Sequence, residues 1–236
     1  MSVAAVGPAA RVTFGGVMVA IIRKDLALEW RTREIFSATV VFAALVLLTI
    51  NFSFDPGQRA VEETASGFLW VAFVFAGMLG LGRSFVAERE NACLDALALS
   101  PADPGAIYLG KTAANLIFLA VTEAIVLPLF AVLFNFPIAR SLPALIVPLG
   151  LGSIGFVGAG TLFAAISTQT RMREVILPLL LLPVSVPVLI ASVRVTGTAL
   201  AGRALSEALP WIGLLVLCGA LFLVAGTLLF GHLLED

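Results

Sequence analysis

One charged segment of this chain, Arg83 to Pro101, has the composition of a contact site for another protein. It carries three consecutive charged residues and then two leucines on one helix face, namely Glu88, Arg89, Glu90, Leu94 and Leu97. The turn-forming sequences Ser100-Pro101 and Asp103-Pro104-Gly105 are expected to end such a helix. A short amphipathic helix of this kind can insert its leucines into a groove on a cytosolic partner. An inert amphipathic connection is the alternative interpretation.

A second polar loop, residues 169–174, carries Arg171 and Arg173 and is the next candidate for such a contact. The sequence contains no G-x-x-x-x-G-K-[ST] phosphate loop, and its single histidine is His232. The glycine-rich stretch at 150–160 is apolar and follows no strand, so it does not predict a phosphate site. We therefore expect no catalysis, no tightly bound cofactor or metal, and no nucleic-acid partner.

Glu123 is an ionisable residue in the middle of an apolar stretch. A charge at the bilayer centre costs about 2.5–3.5 kcal/mol on insertion scales, so this side chain should face protein or water. It could be a proton site, line a substrate path, or be a protonated carboxyl that is hydrogen-bonded to a Ser or Thr of another helix. The absence of a neighbouring intramembrane Lys, Arg or His as a relay partner favours the last interpretation.

Three prolines, Pro178, Pro183 and Pro187, lie in another apolar stretch. Each lacks an N–H and clashes with the carbonyl four residues earlier, so we expect a kinked or broken helix. Such a break persists in a bilayer only where protein or water satisfies the freed carbonyls. We place it near the outer end of its span, either as a mobile or re-entrant element or as a static kink.

A stripe of small residues predicts close contact between two helix backbones. Its members are Gly150, Gly152, Gly155, Gly158, Ala159 and Gly160. A contact within the chain and a seam between two copies both fit this spacing. Six helices in one chain offer more partners, which favours the contact within the chain.

The composition is that of an integral membrane protein. Hydrophobic residues make up 60% of the chain and charged residues 12%, against about 25% charged in soluble domains. A helix needs about 20 apolar residues to cross a hydrocarbon core of about 30 Å. Six such stretches with their connections use nearly all 236 residues, which leaves no room for an ATPase or a catalytic domain. We expect one all-α membrane domain over residues 1–236.

The six predicted spans cover residues 35–54, 67–86, 112–136, 142–167, 175–193 and 210–230. Before them, residues 14–34 predict an amphipathic elbow helix in the membrane interface, with Trp30 at the headgroup level. A short cytosolic helix is the alternative. Residues 1–10 lack the regions of a cleaved signal peptide, so we expect the mature chain to keep them. We expect no disulfide between Cys93, in a connection, and Cys218, in a span.

The distribution of Lys and Arg predicts the orientation, because cytosolic loops carry an excess of these residues. With both termini on one side, that side collects ten of the fourteen, namely Arg11, Arg23, Lys24, Arg31, Arg33, Arg83, Arg89, Lys111, Arg171 and Arg173. The other side collects Arg59, Arg140, Arg194 and Arg203. We therefore expect both termini, the connection 83–111 and the loop 168–174 to be cytosolic.

Four stretches in a characteristic order carry a family resemblance. They are Arg23-Lys24-Asp25-Leu26 with Glu29, before a span that ends at Asp55-Pro56; Gly67-Phe-Leu-Trp-Val-Ala72; Arg83 and Phe85 with Glu88, Leu94, Leu97, Pro101 and Lys111; and Ile154-Gly-Phe-Val-Gly-Ala159 followed by Leu182-Pro183 and Pro187-Val-Leu-Ile190. Together they resemble the CcmB (heme exporter protein B) family, membrane subunits of ABC-type complexes in cytochrome c maturation. Gly82 and Asn91-Ala92 depart from the family pattern, which has an acidic residue and an Asp-Gly pair there.

The resemblance implies an ABC-2-type permease in the bacterial inner membrane, usually as two copies. It also implies a CcmA-like ATP-binding subunit and CcmC-like and CcmD-like membrane partners, with heme as the transported substrate. Glu88, Arg89, Glu90, Leu94, Leu97 and Pro101 would then form the ATPase-coupling region. A permease for a drug, lipid or glycan, and a scaffold without transport, are alternatives. An ion-coupled carrier centred on Glu123 is disfavoured because no inverted repeat is visible.

The residues themselves argue against tight heme ligation by this chain. His232 falls on the predicted cytosolic side, and the remaining soft ligands are Met1, Met18, Met78 and Met172. We expect any heme contact to be weak, in a cavity between two copies lined by aromatic rings of Phe73, Phe75, Phe118, Phe130 and Phe134. Phenylalanines that face lipid are the alternative.

Overall fold

The protein is described by a computed structural model that covers residues 13–53, 59–84, 102–135, 138–168 and 173–235. Its helices in these ranges are α1 Phe14–Thr32, α2 Glu34–Ser53, α3 Arg59–Arg83, α4 Pro104–Leu133, α5 Ile138–Thr168, α6 Arg173–Leu200 and α7 Leu209–Glu235, with a 3-10 helix Leu205–Ala208 before α7. Six of them, α2 to α7, are long and apolar enough to cross a membrane. The prediction of an all-α membrane protein with six spans is confirmed.

Several helices extend beyond the apolar stretches that predicted them. The helix that contains the third predicted span begins at Pro104, before the predicted start of that span at residue 112. Asp103-Pro104-Gly105, expected to end the preceding segment, begin α4. The Asp103 side chain accepts hydrogen bonds from Gly105 N at 2.8 Å and Ala106 N at 3.3 Å. An Asp N-cap followed by proline in the first turn is a helix start.

Helix α6 runs without interruption from Arg173 to Leu200 through Pro178, Pro183 and Pro187. A break in the helix is therefore not found over these residues, and a static kink within the continuous helix stays a prediction. Its place near the outer end depends on the orientation of the chain, which also stays a prediction. The three prolines lie in the part of α6 that begins at Arg173, and none is near the end at Leu200 that the charge distribution places outside.

Helix α5 packs against α3, α4, α6 and α7, and its small residues allow this. A Cβ on Gly152 would overlap the Trp70 ring and the Ser192 hydroxyl, and a Cβ on Gly160 would overlap Leu81. The favoured interpretation, contact within the chain, is confirmed at these two positions. Gly150, where a Cβ would meet nothing within 4 Å, does not take part.

The N-terminal elbow forms as a helix, α1, which is followed directly by the first span. Thr13 caps its start by accepting a hydrogen bond from Gly16 N at 3.3 Å. Its last turn closes with Arg33 at φ 54°, in the left-handed region that commonly ends helices. This residue separates α1 from α2, which begins at Glu34. That α1 lies in the membrane interface remains a prediction, supported by Trp30, which is 78% exposed.

Candidate functional site

A buried lysine joins three separate elements at the end of the bundle that the charge distribution places in the cytosol. Lys111, two turns into α4, is 1% exposed. Its Nζ lies 2.9 Å from Oδ2 of Asp25 on α1 and donates a hydrogen bond of 3.0 Å to the carbonyl oxygen of Ser84, the residue after α3. The other carboxylate oxygen of Asp25 lies 3.2 Å from Nζ of Lys24. Lys111 is thus a tie between the elbow, the end of α3 and the start of α4.

The elbow lies unusually close to α4 beside this tie. A Cβ added to Gly110 would be 3.0 Å from Cβ of Ile21 and 3.2 Å from the carbonyl oxygen of Met18. Val17 and Ile21 are buried, and Asp25 follows Ile21 by four residues, so these three share one face of α1. A Cβ at position 110 would require its neighbours to give by only a few tenths of an ångström, so glycine permits this close approach of the elbow to α4 beside the Lys111 contacts.

Glu29, one further turn along the same face, secures the corner between the elbow and the first span. Its Oε1 accepts a hydrogen bond of 2.7 Å from Phe36 N, in the first turn of α2. First-turn N–H groups have no partner within their own helix, and a carboxylate there also interacts favourably with the helix dipole. Two acids of the elbow thus have different functions: Asp25 binds α4, and Glu29 caps α2.

A cavity of about 100 Å³ opens beside the tie, between α1 and the adjoining ends of α2, α3 and α4. Its polar lining residues are Asp25, Glu29, Arg83, Ser84 and Asn115. The Arg83 guanidinium lies 3.4 Å from Glu34, but both side chains are mostly exposed. Surface pairs of this kind contribute little, so the ion pair of this region that contributes more is the buried one between Lys111 and Asp25.

Glu123 meets a hydroxyl of a neighbouring span. Ser153 on α5 donates a hydrogen bond of 2.5 Å to Oε1 of Glu123, and both residues are buried. The favoured interpretation of Glu123, a carboxyl hydrogen-bonded to a Ser or Thr of another helix, agrees with this contact. The bond joins α4 to α5 inside the bundle and keeps the carboxyl away from lipid.

Tyr108 is a buried polar contact that sequence reasoning missed. Its hydroxyl lies 3.0 Å from the Gly158 carbonyl oxygen and 3.1 Å from that of Phe222. Its ring packs onto the backbone of Gly226, where a Cβ would overlap it. One tyrosine on α4 therefore fixes the positions of α5 and α7. A tyrosine one turn from a helix start, with glycines on other spans, gave no signal of which backbones it would reach.

Comparisons with known proteins cover the helices that make these contacts. The family described as CcmB protein matches residues 16–231, from the first turn of α1 to the last part of α7. The chain belongs to the CcmB family.

Individual relatives within the CcmB family are similar over most of their length. Heme exporter protein B of Rhodobacter capsulatus is 32% identical over 195 residues, which are 83% of this chain and 89% of that protein. Heme exporter protein B of Pseudomonas aeruginosa is 27% identical, over 81% of this chain and 86% of the relative. The Escherichia coli K12 protein of the same name is 28% identical, over 88% and 90%.

The residues expected to form the coupling region of a CcmB-family protein lie outside the described part of the chain. These are Glu88, Arg89, Glu90, Leu94, Leu97 and Pro101, together with Arg171 of the second loop. The backbone of Arg173 begins α6. Ser84 and Ala102, the described residues on either side of the first group, border the end of α3 and the start of α4. The role of these residues stays a prediction.

The five phenylalanines expected to offer surface for heme do not share one environment. Phe73 and Phe130 are 1% and 0% exposed, so their rings belong to the interior of this CcmB-family chain and cannot line a cavity between two copies. Phe73 packs edge-on against Trp70. Phe75, at 42% exposed, lies on the outer face of α3. The expectation was wrong for Phe73 and Phe130, because Phe73 lies on the buried face of α3 and Phe130 on the buried face of α4.

Proposed function

We propose that this chain is the membrane permease subunit of an ABC-type complex that moves or releases heme across a bacterial inner membrane for c-type cytochrome biogenesis. The observation that carries the proposal is its similarity, over more than four-fifths of its length, to relatives named heme exporter protein B. Six spans preceded by an elbow are the architecture that an ABC-2-type permease requires.

The energy for this process comes from a separate ATP-binding subunit, which is CcmA-like. The spans and their short connections account for nearly the whole chain, and its sequence contains no phosphate-binding loop. Contact with that subunit is made through the connection 83–111, with the loop that carries Arg171 and Arg173 as the second site. Both termini are cytosolic. CcmC-like and CcmD-like membrane proteins and a second copy of this chain complete the complex.

Heme is the transported substrate and is held weakly here. His232 is an exposed residue in the last turns of α7, on the side that the Lys and Arg distribution makes cytosolic. Apolar and aromatic surface can contact a porphyrin but does not coordinate iron. We assign axial coordination to a partner subunit.

The function is tested by deleting the chain in its native bacterium and measuring covalently attached heme in membrane cytochromes by peroxidase staining. The staining should disappear and return with a plasmid copy. Normal cytochrome levels in the deletion strain, with loss of a drug, lipid or glycan instead, would identify a different permease. Unchanged cytochrome levels without any other transport defect would contradict both the heme permease and a permease for another substrate.

The partner is tested by purification from native membranes, where an ATP-hydrolysing subunit should co-elute. Changing Leu94 and Leu97 together to Asp should abolish that co-elution while membrane insertion persists. Burying each leucine contributes about 1.5–3 kcal/mol, so the pair changes affinity by about a hundredfold or more. Ala92→Asp, which helical periodicity predicts to lie away from the stripe of Leu94 and Leu97, is the matched control. Normal co-elution of the double variant would move the coupling site to the Arg171 and Arg173 loop.

A further inference from the structure

The burial of the Lys111 ammonium needs a physical reason. Lysine is almost never fully buried unless it is paired. Removing an ammonium and a carboxylate from water costs several kcal/mol per ion, so a buried ion pair is often no more stable than apolar residues of similar volume. Stability alone therefore does not account for Lys111 at a position that is 1% exposed. What an ion pair adds over apolar packing is a fixed mutual orientation of its elements.

The three elements that Lys111 joins are those through which a force from the cytosol would enter the spans. Asp25 belongs to the elbow, which continues through the Glu29 cap into the first span. Ser84 is where the chain leaves α3, and Lys111 itself lies in the first turns of α4. The ammonium also lies at the carbonyl end of α3, where positive charge interacts favourably with the helix dipole. A displacement of either end of the α3–α4 connection is thus transmitted to the elbow.

We propose that Lys111 is a positioning residue for energy coupling: it holds the elbow, the end of α3 and the first turns of α4 together as one unit that moves without internal change during the transport cycle. This inference rests on the proposed function, because it assigns a route by which ATP hydrolysis in a partner reaches the spans. The close approach of Ile21 and Gly110 makes the unit compact beside the ion pair.

The first experiment locks the unit covalently. Cysteines at Ile21 and Gly110 would have Cβ atoms about 3.0 Å apart before adjustment, and disulfides need about 3.5–4.5 Å, so a small shift allows the bond. Cys93 and Cys218 are first replaced by Ser and Ala. The native complex is reconstituted in vesicles, and heme movement per ATP hydrolysed is measured with oxidant and again with reductant. We expect the same ratio in both states. Loss of heme movement on oxidation, restored by reductant, would show that the elbow must separate from α4 and would overturn the proposal.

The second experiment removes the tie. Lys111→Met should leave ATP hydrolysis in the complex but lower heme movement per ATP about tenfold or more, the scale of a lost hydrogen bond to a charged group. When the Ile21→Cys and Gly110→Cys pair is oxidised in the Lys111→Met background, the disulfide should restore the amount of heme moved per ATP hydrolysed. It would not do so if Lys111 only stabilised the fold. Lys111→Arg, which keeps the charge, is the control and should retain more of the ratio than Lys111→Met.

If Lys111→Met does not reach the membrane, Asp25→Asn is measured instead, since the amide preserves the shape of the side chain. If Lys111→Met moves as much heme per ATP hydrolysed as the wild type, the proposal is contradicted. The same holds for Asp25→Asn when that variant is measured instead. Failure of the proposed function is a separate result: the wild-type complex would then move no heme in either redox state, while its ATP hydrolysis could still be compared between variants.

Discussion

The hydroxyl of Ser153 on α5 donates a hydrogen bond of 2.5 Å to Oε1 of Glu123 on α4. This contact joins two spans and supports the interpretation of Glu123 as a structural carboxyl, which stays a prediction. The polar groups satisfy each other inside the bundle, where an unpaired donor or acceptor would be costly. The spans on either side can therefore face lipid with apolar residues alone.

Glu123→Gln should leave both thermal stability and cytochrome maturation close to wild type, because the amide oxygen still accepts from Ser153. Glu123→Leu should destabilise the protein by about 1–3 kcal/mol, since the Ser153 hydroxyl then loses its buried partner. Unfolding of the purified protein in detergent, followed by tryptophan fluorescence, measures the difference. A Glu123→Gln variant that unfolds normally yet supports no maturation would return Glu123 to the role of a proton carrier.

Gly226→Ala should destabilise the bundle by about 1–3 kcal/mol, the usual range for overpacking. Its Cβ would overlap the Tyr108 ring, which is buried between α4, α5 and α7. Gly213→Ala on the same helix is the matched control, because its Cβ would meet nothing within 4 Å. The readout is the yield and unfolding midpoint of both variants in detergent. Equal midpoints would show that Tyr108 can move aside without loss.

Reporter fusions should show both termini in the cytosol. A reporter after Asp236 or near Asp103 should behave as cytosolic, and reporters near Gly57 and Gly202 should lie outside, because ten of the fourteen Lys and Arg residues fall on the first side. Alkaline phosphatase and fluorescent-protein fusions report the two sides in a complementary way. Phosphatase activity at position 103 would contradict the six-span orientation.

The subunit purified alone and incubated with hemin should show no stable six-coordinate Soret band. Apolar and aromatic surface does not coordinate iron, and the single histidine is His232. The wild-type spectrum should match that of His232→Ala. A six-coordinate band that disappears in His232→Ala would demonstrate tight axial ligation from the end of α7 and would contradict the weak-contact expectation.

Hydropathy predicted the number and order of the spans because burial in lipid is a local property of about 20 residues. Hydropathy predicted the ends of the helices less accurately than their number. Helices continue past the apolar core, and capping residues such as Asp103 mark a start that hydropathy does not detect. The three prolines of α6 predicted a kinked or broken helix, and the backbone stays helical through all of them, because tertiary packing can override a local propensity.

The sequence by itself determined that Glu123 needs a polar partner, that the small residues of α5 need close neighbours, and that an amphipathic elbow precedes the first span. Only the tertiary structure decided that the partner is Ser153, that Gly152 faces Trp70, and that Asp25 reaches Lys111. The physical reason is that composition and hydrophobic periodicity describe the residues of a single helix. Which residues meet between helices depends on the rotation and depth of each helix in the bundle, which the packing of all of them sets together.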